Sequence, residues 1–504
     1  MLQRTFIKTY FCEGPMEYRY IARAACLLLF ALLIIVMNPH YLNHGIPDMD
    51  EIWNYQYARR ILYGQIPYRD FGVLQTPFAM QLNALFLSVF GDGLIVMRWV
   101  ASVAAALNGL IAYRILITTG KNELMSLAYT AFFLCPFLLY PKNNYSWFVV
   151  LFLSMALLLE LKKINAEQSK QVLYEFWIGI ALGVTLITKQ NIGAAALLVS
   201  SLCLLYFYKD RGSGYLIRSL GLKMLGFALA VGAEICYLGL NMNIIWMFKD
   251  MAANLTTFAG STATPYGSIF SENLIFSLLA LLVPLIVLTS FVRGVTTKEA
   301  TEKKSTILVS AYAFANLAMI YPISDSVHLI FGMPMSVLGL SMIFQSNVND
   351  LKSSKVIVPV TLLSAIAVSV FVQQMSSPTK QYTPELKHYE SINIPAELRQ
   401  SIRNIDTFII DEEERGRSVH LINYQAAFYL IPLDKFSRRY DTVGAGSPAE
   451  QEIIKKLAET DKVTVIIKGP DSDENWQETK KIEEYVRETM NYSTSLHGFD
   501  VYTK

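Results

Sequence analysis

Residues 45–71 read G-I-P-D-M-D-E-I-W-N-Y-Q-Y-A-R-R-I-L-Y-G-Q-I-P-Y-R-D-F, and the apolar stretches on either side decide what this segment belongs to. Three carboxylates, Asp48, Asp50 and Glu51, follow an apolar stretch at 21–38. A helix beginning near Asp50 carries Tyr57, Arg60 and Ile61 on one face and ends at Gly64. Acidic residues suit such an N-terminus, where unpaired N–H groups leave partial positive charge. The plain reading is a capped helix on a membrane surface. A carboxylate held there is equally suited to act as general base on a substrate that arrives in the lipid.

The rest of the chain supports a membrane setting. It has 504 residues, 53% of them hydrophobic and only 17% charged, against roughly 25% charged in soluble domains. With a mean hydropathy of +0.35, this excludes a disordered or fibrous protein and an ordinary soluble enzyme. A net charge of +2 gives no case for a nucleic-acid partner. A helix needs about 20 mainly apolar residues to cross the hydrocarbon. Eleven stretches fit, near 21–38, 94–118, 123–141, 145–161, 174–188, 191–208, 220–241, 271–291, 305–322, 327–345 and 355–373. The first follows basic residues and lacks a small-residue cleavage site, so it reads as a retained anchor. Residues 77–90 are apolar but too short to span, which suits a helix in the interface.

Charge divides the chain in two. Up to residue 373 there are 26 Lys+Arg and 19 Asp+Glu; from 374 onward there are 17 and 22. The expected organisation is a transmembrane domain over 1–374, with an outer loop at 39–93, and an extracytoplasmic α/β domain over 375–504. With the N-terminus in the cytoplasm, alternation of the spans places 19 of the 26 basic residues inside, as the positive-inside rule requires. Arg59, Arg60, Arg69, Arg98, Lys142, Lys189 and Lys249 fall outside, and an odd span count sends the C-terminal domain outside too. In that domain T-F-I-I at 407–410, V-H-L-I at 419–422 and V-T-V-I-I at 463–467 read as buried strands. The segments 447–459 and 475–490 read as amphipathic helices, and the acidic run Asp411–Glu414 as a solvated turn. All five cysteines lie before residue 237, so there is no disulfide framework.

The outer loop resembles that of the GT-C superfamily of integral-membrane glycosyltransferases, in particular protein O-mannosyltransferase-like and aminoarabinose-transferase-like members. In that family an Asp-Glu pair opens the first outer loop and its Asp is the expected base. Asp50-Glu51 matches the pair, and Tyr57-Ala58 follows where members commonly show Tyr-Ala. Asp48 is a rival acid two residues upstream. Members often continue with Lys-Pro-Pro-Leu, an interfacial helix, Phe-Gly and an Arg. This chain has Gln75-Thr76-Pro77-Phe78, a short apolar helix, Phe90-Gly91 and Arg98. The family's Lys, associated with the donor phosphate, is missing, which leaves that contact to Arg69. L-I-T-K-Q-N-I-G at 186–193 resembles the family's Thr-Lys-Gly motif; its plain alternative is a lysine snorkelling at a helix end. Y-P-I-S-D-S-V-H-L at 321–329 places Asp325 and His328 at i, i+3, as in bacterial relatives, or is simply a polar turn.

The resemblance covers residues 1–373 and implies a sugar moved from a polyprenyl phosphate to a glycan, lipid or protein acceptor outside the cytoplasm, with inversion. The enzyme would be a multi-pass hexosyl- or pentosyltransferase of the cell membrane, serving the cell envelope. Its expected catalytic residues are Asp50, with Asp48 and Glu51 beside it. Arg69, Lys189 and His328 are the candidates for the donor phosphate. Asp70, Tyr68 and Asp325 are candidates for substrate contacts, and Trp53 fits an interfacial aromatic belt better. Two ligands do not make a metal site, so a divalent metal stays open. Glu234, inside a span, reads as a paired structural acid or a functional one. The competing functions are a transporter or flippase for lipid-linked glycans, a polysaccharide polymerase, and a non-catalytic sensor. A transporter would place its ionisable groups at mid-membrane between repeats, whereas here the acids gather in outer loops.

Overall fold

The computed structural model describes residues 49–71, 73, 75–121, 123–249, 251–252, 263–344, 389, 392, 396–422, 448–468 and 480–504. Asp48 and the expected spans at 21–38 and 355–373 lie outside the described residues.

The segment 45–71 forms α1 (Met49–Leu62), which starts on Asp50 and Glu51. Gly64 follows at φ +85°, a left-handed conformation that costs glycine little. The apolar 77–90 segment is α2 (Phe78–Phe90), which buries Met80, Ala84 and Leu87 and exposes Leu85, Val89 and Phe90. Thirteen residues rise only about 20 Å, short of the hydrocarbon thickness.

Nine helices or helix pairs then follow the apolar stretches. They are α3 (Leu94–Thr118), α4 (Glu123–Leu139), α5 (Tyr145–Ile164), α6 (Gln168–Thr188), α7 (Gln190–Tyr208), α8 (Ser213–Asn241), α9 (Leu274–Thr296), α10 (Ala300–Leu317) and the pair α11 (Ser326–Gly332) and α12 (Pro334–Ile343). Among the described residues five, α3, α6, α7, α8 and α9, are long and apolar enough to cross a membrane; α11 and α12, bent by 50°, count as a sixth if taken as one. Their shared core includes Tyr129, Phe133, Trp147, Leu153, Tyr312 and Met335. Outward, α8 and α9 expose Leu225, Leu229, Leu281 and Leu285, an apolar face that suits lipid.

Glycines set the closest packing. A Cβ on Gly179 of α6 would sit 2.0 Å from the Lys223 carbonyl oxygen of α8, and one on Gly226 would sit 2.1 Å from that of Phe176. Small residues let helix backbones approach where lipid offers no hydrophobic drive. Lys223 then reaches inward: Lys163, Lys223, Glu160 and Glu175 form a buried cluster, with Lys163–Glu175 at 2.8 Å, Lys223–Glu175 at 3.1 Å and Ser200 Oγ donating to Glu160 at 2.6 Å. Two Glu and two Lys leave it neutral, as burial of charge demands.

After residue 396 the described residues form α13 (Ala396–Glu414), β1 (Ser418–Ile422), α14 (Pro448–Glu459), β2 (Val463–Lys468), α15 (Lys480–Thr489), β3 (Asn491–Leu496) and β4 (Phe499–Thr503). The sheet order is β1-β2-β4-β3, with β1 parallel to β2 and the other pairs antiparallel. Residues 407–410 are helical, contrary to the strand expected there. Ile402, Ile405 and Ile409, all buried, recur at helical spacing across that run and outweigh the local β-branched character. The acidic run is not a free turn either: Glu412 is buried and accepts from Thr464 Oγ1 at 2.8 Å. One apolar cluster joins Ile402, Ile405, Val419, Ile466 and Val501 to Ile52, Tyr55 and Ala58 of α1. The C-terminal sheet and the outer loop therefore share one face of the molecule.

Candidate active site

The backbone turns at one end of the bundle bring the candidate residues together. Glu51 and Arg98 orient α1. Arg98 Nε and Nη2 donate to the two Glu51 carboxylate oxygens at 2.7 and 2.8 Å, and both side chains are buried. At the other end of α1, Tyr55 Oη and Arg59 Nε donate to Asp92 at 2.9 and 3.1 Å. With Glu51 facing α3, the neighbouring Asp50 turns toward the bundle and is only half-buried. Asn144 Nδ2 donates to Asp50 Oδ2 at 3.2 Å. Asn144 also caps α5, its Oδ1 accepting from the Ser146 N–H at 2.8 Å, which fixes the amide so that its donor face meets Asp50. Asn143 exchanges hydrogen bonds with Asn83 of α2 and donates to the Met97 carbonyl at 3.0 Å.

Lys189 sits in the turn between α6 and α7. The turn is tight: a Cβ on Gly193 would lie 2.2 Å from Leu186 Cα. Thr76 of the outer loop donates to the Leu186 carbonyl at 3.1 Å, and Asn191 donates to the carbonyls of Ala318 and Tyr321 at 3.0 and 3.3 Å. These bonds bring the loop, the Lys189 turn and the 318–328 segment into one corner. The Lys189 ammonium lies over the Tyr145 ring, 5.2 Å from its centroid. Burial pushes its pKa down to about 8, opposed by the negative charges of Asp50 and Asp325. Lys189 thus feels the charge of two carboxylates from separate segments.

Asp325 caps α11, accepting from the His328 N–H at 2.7 Å, and His328 Nδ1 meets the same oxygen at 2.8 Å. Burial works against the Asp325 anion, but the His328 hydrogen bond, its charge and two backbone N–H groups outweigh it and hold the carboxyl below the usual range. With Nδ1 engaged by Asp325, Nε2 is the nitrogen left to face a ligand. Beside this segment lies an apolar cavity of about 650 Å³ lined by Pro265, Tyr266, Pro284, Leu317, Ile320 and Ser324, among others.

Arg69, Asp70 and Tyr68 lie elsewhere. Arg69 pairs with Asp70 at 2.7 Å and donates to the Asn241 carbonyl at 3.1 Å. Partial burial opposes the Asp70 anion, but the Arg69 hydrogen bond and the Ile66 N–H outweigh it and lower its pKa. Tyr68 is buried and donates to the Gln75 carbonyl at 2.9 Å. The charge of Arg60 also acts on Asp70, which places this corner at the C-terminal end of α1. Ten residues separate Asp50 from Arg60, a rise of about 15 Å. Glu234 is paired: Gln81 donates to it at 2.8 Å. Trp53 is half-buried in the packing of α1. Among the described residues no three metal-ligating side chains come together.

The sequence reading passed over Asn144, Tyr145 and Asp92. Lys142-Asn143-Asn144-Tyr145, a polar run between two apolar stretches on the expected outer side, carried the signal for the first two.

No family model matches this sequence, and no curated protein matches it. Solved structures do resemble it. ArnT from Cupriavidus metallidurans bound to undecaprenyl phosphate aligns with a TM-score of 0.56 at 12% identity, over 95% of this chain and 97% of that one. The apo form of that ArnT aligns at 0.54 and 13%, over 95% and 98%. The Archaeoglobus fulgidus oligosaccharyltransferase tethered to an acceptor peptide with the NVT sequon aligns at 0.51 and 10%, over 92% of this chain and 69% of that one. At 10–13% identity the likeness is one of fold, which this chain shares with ArnT and with that oligosaccharyltransferase.

Proposed function

We propose that the protein is a multi-pass membrane glycosyltransferase that moves a sugar from a polyprenyl-phosphate donor to an acceptor hydroxyl or amine, with Asp50 as general base. The carrying observation is the convergence of Asp50, Asn144, Lys189, Asp325 and His328 from four separate segments at one end of the bundle. In the proposed reaction the acceptor's proton passes to Asp50 while the acceptor atom attacks C1 of the sugar. The C1–O bond to phosphate breaks, and the electron pair leaves on the polyprenyl phosphate. A single displacement of this kind inverts the anomeric centre.

The leaving phosphate needs fixed positive charge. Lys189 supplies an ammonium, His328 Nε2 a donor held by Asp325, and the N-termini of α5 and α7 add partial positive charge. The cavity beside Ser324 suits the first isoprene units, and its apolar lining explains how a lipid donor is held next to a polar corner. Asn144 keeps Asp50 oriented, and Glu51 acts through Arg98 to hold α1 in place. Asp48 remains the alternate acid. Arg69, Asp70 and Tyr68 are assigned to the rim, where an acceptor or sugar hydroxyls would pass. The Lys189 ammonium supplies positive charge in the field of Asp50 and Asp325, and no step in this scheme runs through a metal.

The remaining topology follows from the same reading: eleven spans, the N-terminus in the cytoplasm and an extracytoplasmic α/β domain from about residue 375. That domain lies on α1 and so overlooks the site, as an acceptor-binding or covering domain would. The test is turnover. Purified protein with radiolabelled polyprenyl-phosphate sugars and a mixture of glycan, lipid and peptide acceptors should release polyprenyl phosphate only when acceptor is present. Intact donors under all conditions, with donor binding demonstrated, would sink the proposal.

A further inference from the structure

The end of the bundle opposite the candidate site holds a second group of cations. Tyr208 closes α7, which begins just after Lys189; nineteen residues carry the chain about 28 Å, close to the thickness of the hydrocarbon. Tyr208 is 2% exposed, and three cations face its ring. Lys163 Nζ lies 5.4 Å, Arg211 Cζ 5.1 Å and Lys304 Nζ 4.9 Å from the centroid. Arg211 also lies 5.2 Å from the centroid of the Tyr215 ring. Gln171, itself buried, accepts from both Arg211 Nη1 and Tyr215 Oη, at 2.8 and 3.1 Å. The charge of Lys163 is taken up by Glu160 and Glu175. Arg211 and Lys304 differ: among the described residues neither forms an ion pair with a carboxylate.

Holding two unneutralised cations on one ring costs free energy through their repulsion. Cation–π attraction offsets part of it. An anion held by both would offset more. Arg and Lys suit a phosphate, the one by its planar fork and the other as a point charge. Leu205, about one turn before Tyr208 on α7, is exposed and gives an acyl chain somewhere to lie.

We propose that Arg211 and Lys304, positioned by Tyr208, Tyr215 and Gln171, form a phosphate-binding site at the membrane face opposite Asp50. Its ligand is a phosphate ester or inorganic phosphate, and the arms of the test separate a lipid headgroup from the free ion. This site goes beyond the proposed transfer reaction and does not depend on it.

The full-length protein in detergent is analysed by native mass spectrometry with phosphatidylglycerol, phosphatidylcholine or inorganic phosphate. The comparison is between wild type, R211Q/K304Q, the conservative R211K/K304R and a charge-matched control, K209Q/R218Q. The double variant loses two charge-assisted contacts to the phosphate and should lose on the order of a hundredfold in affinity. The conservative variant and the control should retain it. Selective retention of phosphatidylglycerol identifies a lipid headgroup, and competition by millimolar phosphate identifies the free ion; either supports the site. Equal losses in R211Q/K304Q and the control, unchanged binding in R211Q/K304Q, or no binding of either phosphate source by wild type would overturn it.

Discussion

The Asp50-Glu51 pair combines two neighbouring carboxylates in opposite surroundings. Glu51 is fully buried, with both oxygens on Arg98. Removing one member of a buried ion pair leaves the other charge without compensation and costs about 3–5 kcal/mol. Glu51→Gln should therefore destabilise the protein by about 3 kcal/mol or more, because the neutral amide can accept from Arg98 at one atom but cannot neutralise it. Asp50 is half-exposed and accepts from Asn144 Nδ2. Asp50→Asn should change stability by less than about 1 kcal/mol. The assay is reversible unfolding of both variants in mixed micelles, followed by intrinsic tryptophan fluorescence. A third variant, E51M/R98M, removes the whole pair; apolar replacement of both partners is often close to neutral, so it should recover most of the loss. Glu51→Gln with wild-type stability would refute the reasoning and return Glu51 to the reacting groups. Failure of the double variant to recover would show that Arg98 holds the loop through other contacts.

Three further outcomes follow from the site and its support. The Lys189 pKa, depressed to about 8 by burial, means that its positive charge is present below that pH and lost as pH rises through it. Donor affinity should fall above about pH 8, and Lys189→Gln should flatten that limb, measured by equilibrium binding of labelled polyprenyl phosphate. Asn144→Ala should slow transfer on the order of tenfold by removing one anchor of the Asp50 carboxylate, while Asn144→Asp should shift the acidic limb of the pH–rate profile upward by adding a like charge. Gly179→Val should disrupt the α6–α8 contact, since the first added carbon already meets the Lys223 carbonyl at 2.0 Å; a loss of folded protein in detergent, scored by size-exclusion chromatography, tests it.

How much of this was legible in the sequence depended on the range of the interaction. Helix α1 could be read from its acidic start and Gly64, and the membrane helices from their length and apolar character. The strands at 419–422 and 463–467 are local patterns of the same kind. Residues 407–410 misled because four residues without their flanks show β-branched character, while Ile402 and Ile405 are needed to see the helical face. The role of Glu51 depends on Arg98, 47 positions away, and that of Asn144 on Asp50, 94 positions away. No local pattern encodes either contact. Lys189 stood out for a different reason: the expected alternation of spans puts it on the side where basic residues are scarce.

In the proposed reaction Asp50 takes the acceptor's proton. The most direct test of this step is transfer by Asp50→Asn beside wild type, with donor binding measured on the same samples. The variant should transfer about 10²–10⁴-fold more slowly, with donor affinity changed by less than about threefold. Transfer at the wild-type rate by the variant would contradict that assignment.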